Sequence, residues 1–218
     1  MSINTSAGAA PIGAVNPDLG AVEVRGMTRS SFILRGALAA GAFYGTSAVT
    51  PFVSQAFAQS GGGDAEILNF ALTLEYLEAA FYNVKGRQVG LSGKAREYAR
   101  TFGEEEAEHV TALTAAIKTL GAKPVAKPTF SFPVTDERSF LKLASVLENT
   151  GVGAYNGAAP SLQSKQVLAA AGGIVQIEAR HAAAIDLLLG ESPTPSGGFD
   201  TPLSKAVVLE RAGPLISG

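Results

Sequence analysis

The segments Glu106-Ala107-Glu108-His109 and Glu178-Ala179-Arg180-His181 repeat one motif, in which a glutamate precedes a histidine by three residues. They contain the only two histidines among the 218 residues of the chain. In an α-helix, three residues correspond to about 300° of rotation and about 4.5 Å of rise. Each motif therefore places a carboxylate and an imidazole on one helix face, within a single turn.

A second pair of similar segments precedes the two motifs. Leu74-Glu75 begins a stretch that ends in Tyr82-Asn83, and Leu147-Glu148 begins one that ends in Tyr155-Asn156. The glutamate and the tyrosine of each stretch are about two helical turns apart, so they share a face. The glutamates of these stretches precede those of the following motifs by 31 and 30 residues. The sequence therefore contains two copies of one helical hairpin.

The apolar residues of this region recur at three- and four-residue intervals, which is the helical period. They predict four helices, over residues 65–85, 92–120, 137–159 and 164–189. Aspartates at the starts and glycines at the ends are the predicted caps: Asp64, Gly86, Gly121, Asp136 and Gly190. No run of residues alternates as strands do, so the predicted fold class is all-α.

The lengths of the connections predict how the four helices are arranged. Short links join the first helix to the second and the third to the fourth, so each pair is an antiparallel hairpin. Residues 122–135 contain three prolines and no helical period, and they form a link long enough to cross along the bundle. We therefore predict an antiparallel four-helix bundle of the ferritin-like variant over residues 64–190. Residues 191–218 form an irregular C-terminal tail, in which Ala206-Val207-Val208-Leu209 is expected to pack on the bundle.

Residues 1–58 have the layout of an export signal. A basic segment is followed by a weakly apolar run over 36–53 and by the small-residue site Ala56-Phe57-Ala58. Residues 28–34 resemble a twin-arginine signal in which Ser30 replaces the second arginine, which leaves the export route open. We expect a periplasmic or extracellular protein with a glycine-rich joint at 59–63. A retained anchor or arm is the alternative, although the glycines and Pro51 make this segment a poor membrane span.

The composition excludes several classes of function. The formal net charge of −2 provides no basic excess for binding nucleic acid. The absence of cysteine excludes disulfides, thiolate zinc sites, cysteine-ligated iron–sulfur clusters and cysteine nucleophiles. With 46% hydrophobic and 17% charged residues, the chain has enough apolar side chains to bury a core.

The glutamates of the two hairpins lie on strongly apolar helices, where a buried carboxylate is costly unless it is paired or binds a metal. Four glutamates supply four negative charges, which two divalent cations would balance. Four carboxylates and two imidazoles suit Fe or Mn better than Zn, which takes fewer ligands, or Ca, which avoids nitrogen. The sequence therefore predicts a dinuclear Fe or Mn carboxylate site with six ligands: Glu75, Glu106, His109, Glu148, Glu178 and His181.

Several of these segments resemble ferritin-like domain proteins, in particular the branch with exported bacterial members and plant desiccation-related proteins. The resemblance lies in the two Glu-x-x-His motifs and in the segments Ile67-Leu68-Asn69-Phe70-Ala71-Leu72, Leu74-Glu75-Tyr76-Leu77-Glu78 and Phe81-Tyr82. It covers residues 64–190. The resemblance implies that each ion has one histidine, that Glu106 and Glu178 bridge the ions, and that Glu75 and Glu148 are terminal ligands.

Other acidic residues near the predicted ligands leave alternatives open. Glu78 competes with Glu75 as the ligand from the first helix, and the match between Glu75 and Glu148 favours Glu75. Three further glutamates are interpreted as a solvated face or an entry route for cations, with direct metal ligation as the less favoured alternative: Glu104, Glu105 and Glu108.

The tyrosines, asparagines and glycines of the hairpins are also open to two interpretations. Tyr82 and Tyr155 are either plain core aromatics or residues that hydrogen-bond a ligand glutamate or supply an electron. The asparagines that follow them, Asn83 and Asn156, are interpreted as helix-end residues. Four glycines allow either a close helix approach or a local distortion: Gly151, Gly153, Gly172 and Gly173.

Three functions are compatible with such a site. The first is enzymatic, because a dinuclear site can reduce O₂ or H₂O₂ as a ferroxidase, a peroxide scavenger or a manganese-catalase-like enzyme. The second is a structural or desiccation-related role, in which metal mainly stabilises the bundle or an assembly. The third is a substrate oxygenase, which needs an organic pocket that the sequence does not locate. We expect a homo-oligomer.

Overall fold

The computed structural model describes residues 63–217, so the predicted export signal and most of the glycine-rich joint lie outside the described residues. The helices are α1 (Asp64–Ala80), α2 (Gly86–Gln88), α3 (Gly93–Thr119), α4 (Glu137–Ala158), α5 (Lys165–Leu189) and α6 (Lys205–Ala212). A π-helical segment, Phe81–Lys85, joins α1 to α2. Two short strands, β1 (Thr129–Phe130) and β2 (Ile216–Ser217), complete the fold. The all-α prediction is confirmed, because the strands have two residues each.

The long helices form two hairpins, as predicted. The most extensive helix contacts are those of α1 with α3 and of α4 with α5. In the tail, α6 packs on α4 and buries Val208 and Ala212. The antiparallel pairing of β1 with β2 attaches the C-terminus to the link between α3 and α4. No helix in the described part of the chain combines the length and the apolar character needed to cross a membrane.

The link between α3 and α4 runs along the bundle. At its start, the Asn69 side chain donates to the carbonyl of Lys123 at 3.2 Å and accepts from the N–H of Val125 at 2.6 Å. Near its end, the Phe132 ring packs 5.2 Å from the ring of Phe81. Asn69 and Phe81 are separated along α1 by about 18 Å. The link therefore crosses from one end of α1 to the other, so α4 runs in the same direction as α3, which confirms the ferritin-like arrangement.

Three of the five predicted caps are confirmed. The Asp136 carboxylate accepts from the N–H of Ser139 at 2.7 Å, and the Ser139 hydroxyl closes the capping box in return. Gly121 and Gly190 have φ values of 75° and 76°, in the left-handed region where glycine ends a helix without strain.

The caps predicted at the two ends of the first helix are wrong. Asp64 is the first residue of α1, and its carboxylate accepts instead from the N–H groups of Gln163 and Ser164 at 2.7 and 2.8 Å. Gly86 has φ −58° and ψ −26°, and the helical path continues past it to Gln88. A Cβ at Gly86 would lie 3.4 Å from the Cβ of Ala99, which is an ordinary packing distance, so this residue lies against α3.

Two glycines of α4 accommodate the C-terminal tail. The N–H of Leu203 donates to the carbonyl of Gly153 at 2.8 Å. A Cβ at Gly157 would lie 1.9 Å from the Leu203 carbonyl oxygen, and a Cβ at Gly153 would lie 2.4 Å from Leu203 Cγ. For Gly153, the close-approach interpretation is therefore correct, although the partner is the tail. A Cβ at Gly172 or Gly173 would meet no atom within 4 Å among the described residues.

Candidate metal centre

The six predicted ligands come together inside the bundle from four helices. The contributing residues are Glu75 on α1, Glu106 and His109 on α3, Glu148 on α4, and Glu178 and His181 on α5. The four glutamates have no exposed surface, and His109 and His181 are 9% and 2% exposed. The helical period explains this convergence, because it keeps each Glu-x-x-His pair on one face.

The ligand atoms form two adjacent groups. Within each group, one nitrogen or oxygen atom of every residue lies within 4.8 Å of those of the others. The first group is Glu75, Glu106, His109 and Glu178, and the second is Glu106, Glu148, Glu178 and His181. Glu106 and Glu178 belong to both groups. Each group could hold a metal ion, and the two groups have two carboxylates in common.

The imidazole of His109 faces three carboxylates with one nitrogen. Its Nδ1 lies 3.0 Å from Glu178 Oε1, 3.2 Å from Glu75 Oε2 and 3.2 Å from Glu106 Oε2. One imidazole nitrogen carries at most one proton, so it cannot donate to three acceptors at full strength. The protein groups alone therefore leave the carboxylates short of hydrogen-bond donors.

Several buried atoms of this cluster lack a well-aligned hydrogen bond among the described residues, although Glu178 Oε1 and Glu106 Oε1 each lie 3.0 Å from an imidazole nitrogen. They are Glu106 Oε1, Glu148 Oε2, both carboxylate oxygens of Glu178, and Nδ1 of His181. Buried polar atoms are nearly always paired in folded proteins. All five atoms belong to predicted ligands, and carboxylate oxygens with imidazole nitrogens are a donor set suited to transition metals. The residues present therefore fit bound metal ions.

Burial and hydrogen bonding shift the pKa values of these residues in different directions. Burial raises the pKa of Glu75 to about 8 and raises that of Glu178 well above its usual range. Burial acts in the same direction on Glu106, but hydrogen bonds from His109 and His181 lower its pKa to about 2. Burial opposes protonation of the histidines, yet hydrogen bonds to the carboxylates raise their pKa values to about 12 and about 11. A cation that binds here must displace protons from the cluster.

Each tyrosine reaches the lone glutamate of the other hairpin. The Tyr82 hydroxyl donates to Glu148 Oε1 at 2.5 Å, and the Tyr155 hydroxyl donates to Glu75 Oε1. Burial raises the pKa of both phenols, so they remain neutral donors. The geometry supports the interpretation in which these tyrosines orient a glutamate of the cluster. Because each of these hydrogen bonds runs from one hairpin to the other, they also join the two halves of the bundle at the site.

A comparison of the sequence with known families agrees with this geometry. The family described as the ferritin-like domain matches residues 63–191, which is more than half of the chain. The chain belongs to the ferritin-like domain family. No curated protein matches it. The resemblance is thus confirmed for the family, whereas the exported and desiccation-related branch stays a prediction.

In this ferritin-like domain, Glu105 hydrogen-bonds the nitrogen of His181 that faces away from the cluster. The Glu105 carboxylate accepts from Nε2 of His181 at 2.7 Å, while Nδ1 of His181 faces the cluster. The Glu105 side chain is still 41% exposed, so this contact adds a role to the solvated face or cation route that the sequence indicates. A carboxylate in this position fixes the tautomer of the imidazole and strengthens it as a metal ligand. Glu104 and Glu108 are exposed.

Replacing Glu105 with glutamine is expected to weaken one metal position selectively. The amide oxygen still accepts from Nε2 but lacks the charge, so the affinity for the ion next to His181 should fall about 10–100-fold. The ion next to His109 should be retained. Stepwise titration of the chelated protein with Mn(II), followed by calorimetry, measures the two affinities. Glu108→Gln on the exposed side of α3 is the control, and equal weakening of both positions would contradict the assignment.

Glu78 is a fifth carboxyl group of the centre. The sequence analysis favoured Glu75 over it, and the structure places Glu75 in a metal-binding group and Glu78 beside the cluster, 2% exposed. A Cβ at Gly151 would lie 3.3 Å from both Glu78 Oε1 and Glu178 Oε2, so this glycine leaves room for the two carboxyl groups. Burial raises the pKa of Glu78 well above its usual range, which favours the neutral acid. Its three-residue spacing from Glu75 was the available sequence signal.

An apolar cavity approaches the centre between α1 and α4. Its outer part has a volume of about 280 Å³ and is bordered by the start of α6, and an inner part of about 20 Å³ continues to Tyr155. Four residues line both parts: Ile67, Phe70, Ala154 and Ala158. The inner part has room for about one water-sized molecule. Tyr155, which lines this inner part, also hydrogen-bonds Glu75.

Proposed function

We propose that this ferritin-like protein is exported, holds two Fe or Mn ions, and protects against oxidative stress by oxidising metal or removing peroxide. The observation that carries the proposal is the pair of buried four-residue groups that share Glu106 and Glu178. Four glutamates and two divalent cations balance in charge. Two adjacent ions that each change by one electron would together supply a two-electron reaction.

The residues of the cluster divide between the two positions. Glu75 and His109 would hold one ion and Glu148 and His181 the other, with Glu106 and Glu178 shared by both. Bound as a pair, such ions supply two-electron redox chemistry toward O₂ or H₂O₂. Tyr82 and Tyr155 orient Glu148 and Glu75 through their hydroxyl groups. The apolar helices around the cluster limit the access of bulk water.

The size of the inner cavity supports a very small reactant. This cavity has a volume of about 20 Å³ beside Tyr155, so it has room for about one molecule of the size of water. The proposed export rests on the basic, apolar and small-residue order of residues 1–58. Protection from peroxide suits a protein outside the cytoplasm.

The first test is metal content followed by activity. We expect the purified protein to contain about two Fe or Mn ions per chain, and to consume H₂O₂ or oxidise Fe(II). The double variant Glu178→Ala, His181→Ala should lose the metal and at least about 99% of the turnover, because it removes one shared ligand and one histidine. Glu108→Ala is the matched control, and circular dichroism verifies that each variant is folded.

The outcomes of this test separate the enzymatic role from the structural one. A double variant as active as the parent would overturn the catalytic assignment. A parent that holds two ions but lacks both activities would favour the structural or desiccation-related alternative. Fewer than about one ion in the protein as isolated from its native source would count against the dinuclear site itself.

A further inference from the structure

A second, larger cavity opens at the end of the bundle where α1 passes into its π-helical segment. It has a volume of about 520 Å³ and is lined by this segment, by α2, by residues 89–91 and by α3. The volume falls within the range of about 300–1,000 Å³ that is usual for small-molecule sites. π-Helical turns inserted into helices occur frequently at functional sites.

The rim of this cavity is basic. Its charged lining residues are Arg87, Arg96, Arg100 and Glu104, so the rim carries two net positive charges in a chain of formal net charge −2. Arg100 lies 3.4 Å from Glu104. Nε of Arg96 donates to the carbonyl of Leu91 at 2.7 Å, which uses one of its five N–H groups and positions the guanidinium. An arginine fork of this kind binds carboxylate and phosphate oxygens in pairs.

The wall below the rim is apolar. It includes the buried side chains of Val89, Leu91 and Ala99, together with the ring of Tyr82. Burying the body of a ligand against this wall is favourable by about 25 cal/mol per Å² of apolar surface. A basic rim above an apolar and aromatic wall therefore suits a molecule with an anionic group at one end and an apolar body at the other.

Tyr82 connects this cavity with the metal centre. Tyr82 belongs to the lining of the cavity although it is only 1% exposed, and its hydroxyl donates to Glu148 Oε1 at 2.5 Å. A molecule in the cavity would thus lie against a residue that is one hydrogen bond from the cluster. Asn83 donates to the carbonyl of Gly103 at 2.5 Å and holds the π-helical segment against α3.

We propose that this cavity is a binding site for a small organic anion, in which a carboxylate or phosphate group is attached to an aromatic or aliphatic body. The arginines contact the oxyanion, and the apolar wall contacts the body. The site does not depend on the activity of the metal centre, because none of the residues that line the cavity belongs to the two groups that could hold a metal.

The probes for the test are benzoate, its neutral analogue benzamide, and inorganic phosphate. Calorimetric titration of the full chain measures the affinity for each, and tyrosine fluorescence reports contact with the aromatic wall, since the chain has no tryptophan. We expect benzoate to bind at least tenfold more tightly than benzamide and than inorganic phosphate. In the double variant Arg87→Gln, Arg100→Gln, the affinity for benzoate should fall at least tenfold.

Lys94→Gln is the matched control, because Lys94 begins the same helix but pairs with Glu97 outside the cavity. Its affinity for benzoate should remain within twofold of that of the parent. Equal loss in Lys94→Gln and in the arginine variant, or equal binding of benzoate and benzamide, would overturn the proposal. Phosphate that binds as tightly as benzoate would overturn the requirement for an organic body. Binding is also measured in Glu178→Ala, His181→Ala, where it should persist even if the proposed redox function is wrong.

Discussion

Replacing Glu106 with glutamine is expected to abolish the binding of both metal ions of the proposed dinuclear site. Glu106 belongs to both metal-binding groups, with Oε2 3.2 Å from Nδ1 of His109 and Oε1 3.0 Å from Nδ1 of His181. Glutamine has nearly the same shape, but its NH₂ group is a donor that repels a cation. Removing one partner from a buried charge arrangement costs about 3–5 kcal/mol, so each affinity should fall at least about 100-fold.

The stoichiometry of a second variant makes this expectation specific. Glu75 belongs to one of the two groups, so Glu75→Gln should retain about one ion per chain where Glu106→Gln retains none. Elemental analysis after dialysis against a weak chelator counts the ions, and Glu108→Gln on the exposed face should keep both. Two ions in Glu106→Gln would mean that its carboxylate does not bridge the two positions. One ion in Glu106→Gln would place it in a single position.

The clustered residues could be identified from sequence because each signal is local. A three-residue spacing on a helix fixes the relative direction of Glu106 and His109 whatever the neighbouring helix does. The same holds for the seven-residue spacing between Glu75 and Tyr82. Internal repetition then indicated that two such faces exist, and the long link with its prolines indicated how the hairpins are connected.

Which of several adjacent acids faces the interior could not be predicted in the same way. Glu104, Glu105 and Glu106 follow one another, and each step turns the side chain by about 100°. Glu106 and Glu105 both contact His181 on the neighbouring α5, from the inside and from the side, whereas Glu104 is exposed. That rotation depends on helix packing, which a spacing rule does not contain.

The error at Gly86 has a similar origin. A glycine after an apolar helical period usually ends the helix, and Gly121 and Gly190 follow this rule. Gly86 instead continues the helical path and faces two other helices, where a Cβ would make ordinary contacts at 3.4 Å from Ala99 Cβ on α3 and 3.5 Å from the Phe140 ring on α4. Contacts between residues so distant in sequence leave no trace in the local pattern. For the same reason, the sequence could not predict that Tyr82 and Tyr155 each hydrogen-bond a glutamate of the other hairpin.

The stability of the metal-free protein is expected to fall as the pH rises from 5 to 8. Burial raises the pKa of Glu75 from 4.5 to about 8, and it also raises the pKa values of Glu148 and Glu178. Such a group favours the folded state at a pH below both its unfolded and folded pKa values, and this contribution is lost as the pH rises through the folded value. For Glu75 alone, the loss between pH 5 and 8 is about 3–4 kcal/mol.

The other shifted groups do not reverse this slope. The pKa values of His109 and His181 are raised to about 12 and about 11, so their contributions are complete below about pH 6.5 and decline above it. The pKa of Glu106 is lowered to about 2, so its contribution is present above about pH 4.5 and is lost only in stronger acid. The metal-free protein should therefore be most stable near pH 5.

The metal-loaded protein is expected to show the opposite slope, because a cation binds the deprotonated ligands and therefore binds more tightly as the pH rises. Urea unfolding at pH 5, 6.5 and 8, with a chelator or with two equivalents of Mn(II), measures both free energies of unfolding. In the metal-free Glu75→Gln variant, the free energy of unfolding should fall by about 3 kcal/mol less between pH 5 and pH 8 than in the parent, because an amide does not ionise. Metal-free protein that is more stable at pH 8 than at pH 5 would mean that these carboxyl groups are ionised and solvated in the fold. The closed cluster that the structure describes would then be incompatible with the protein in solution.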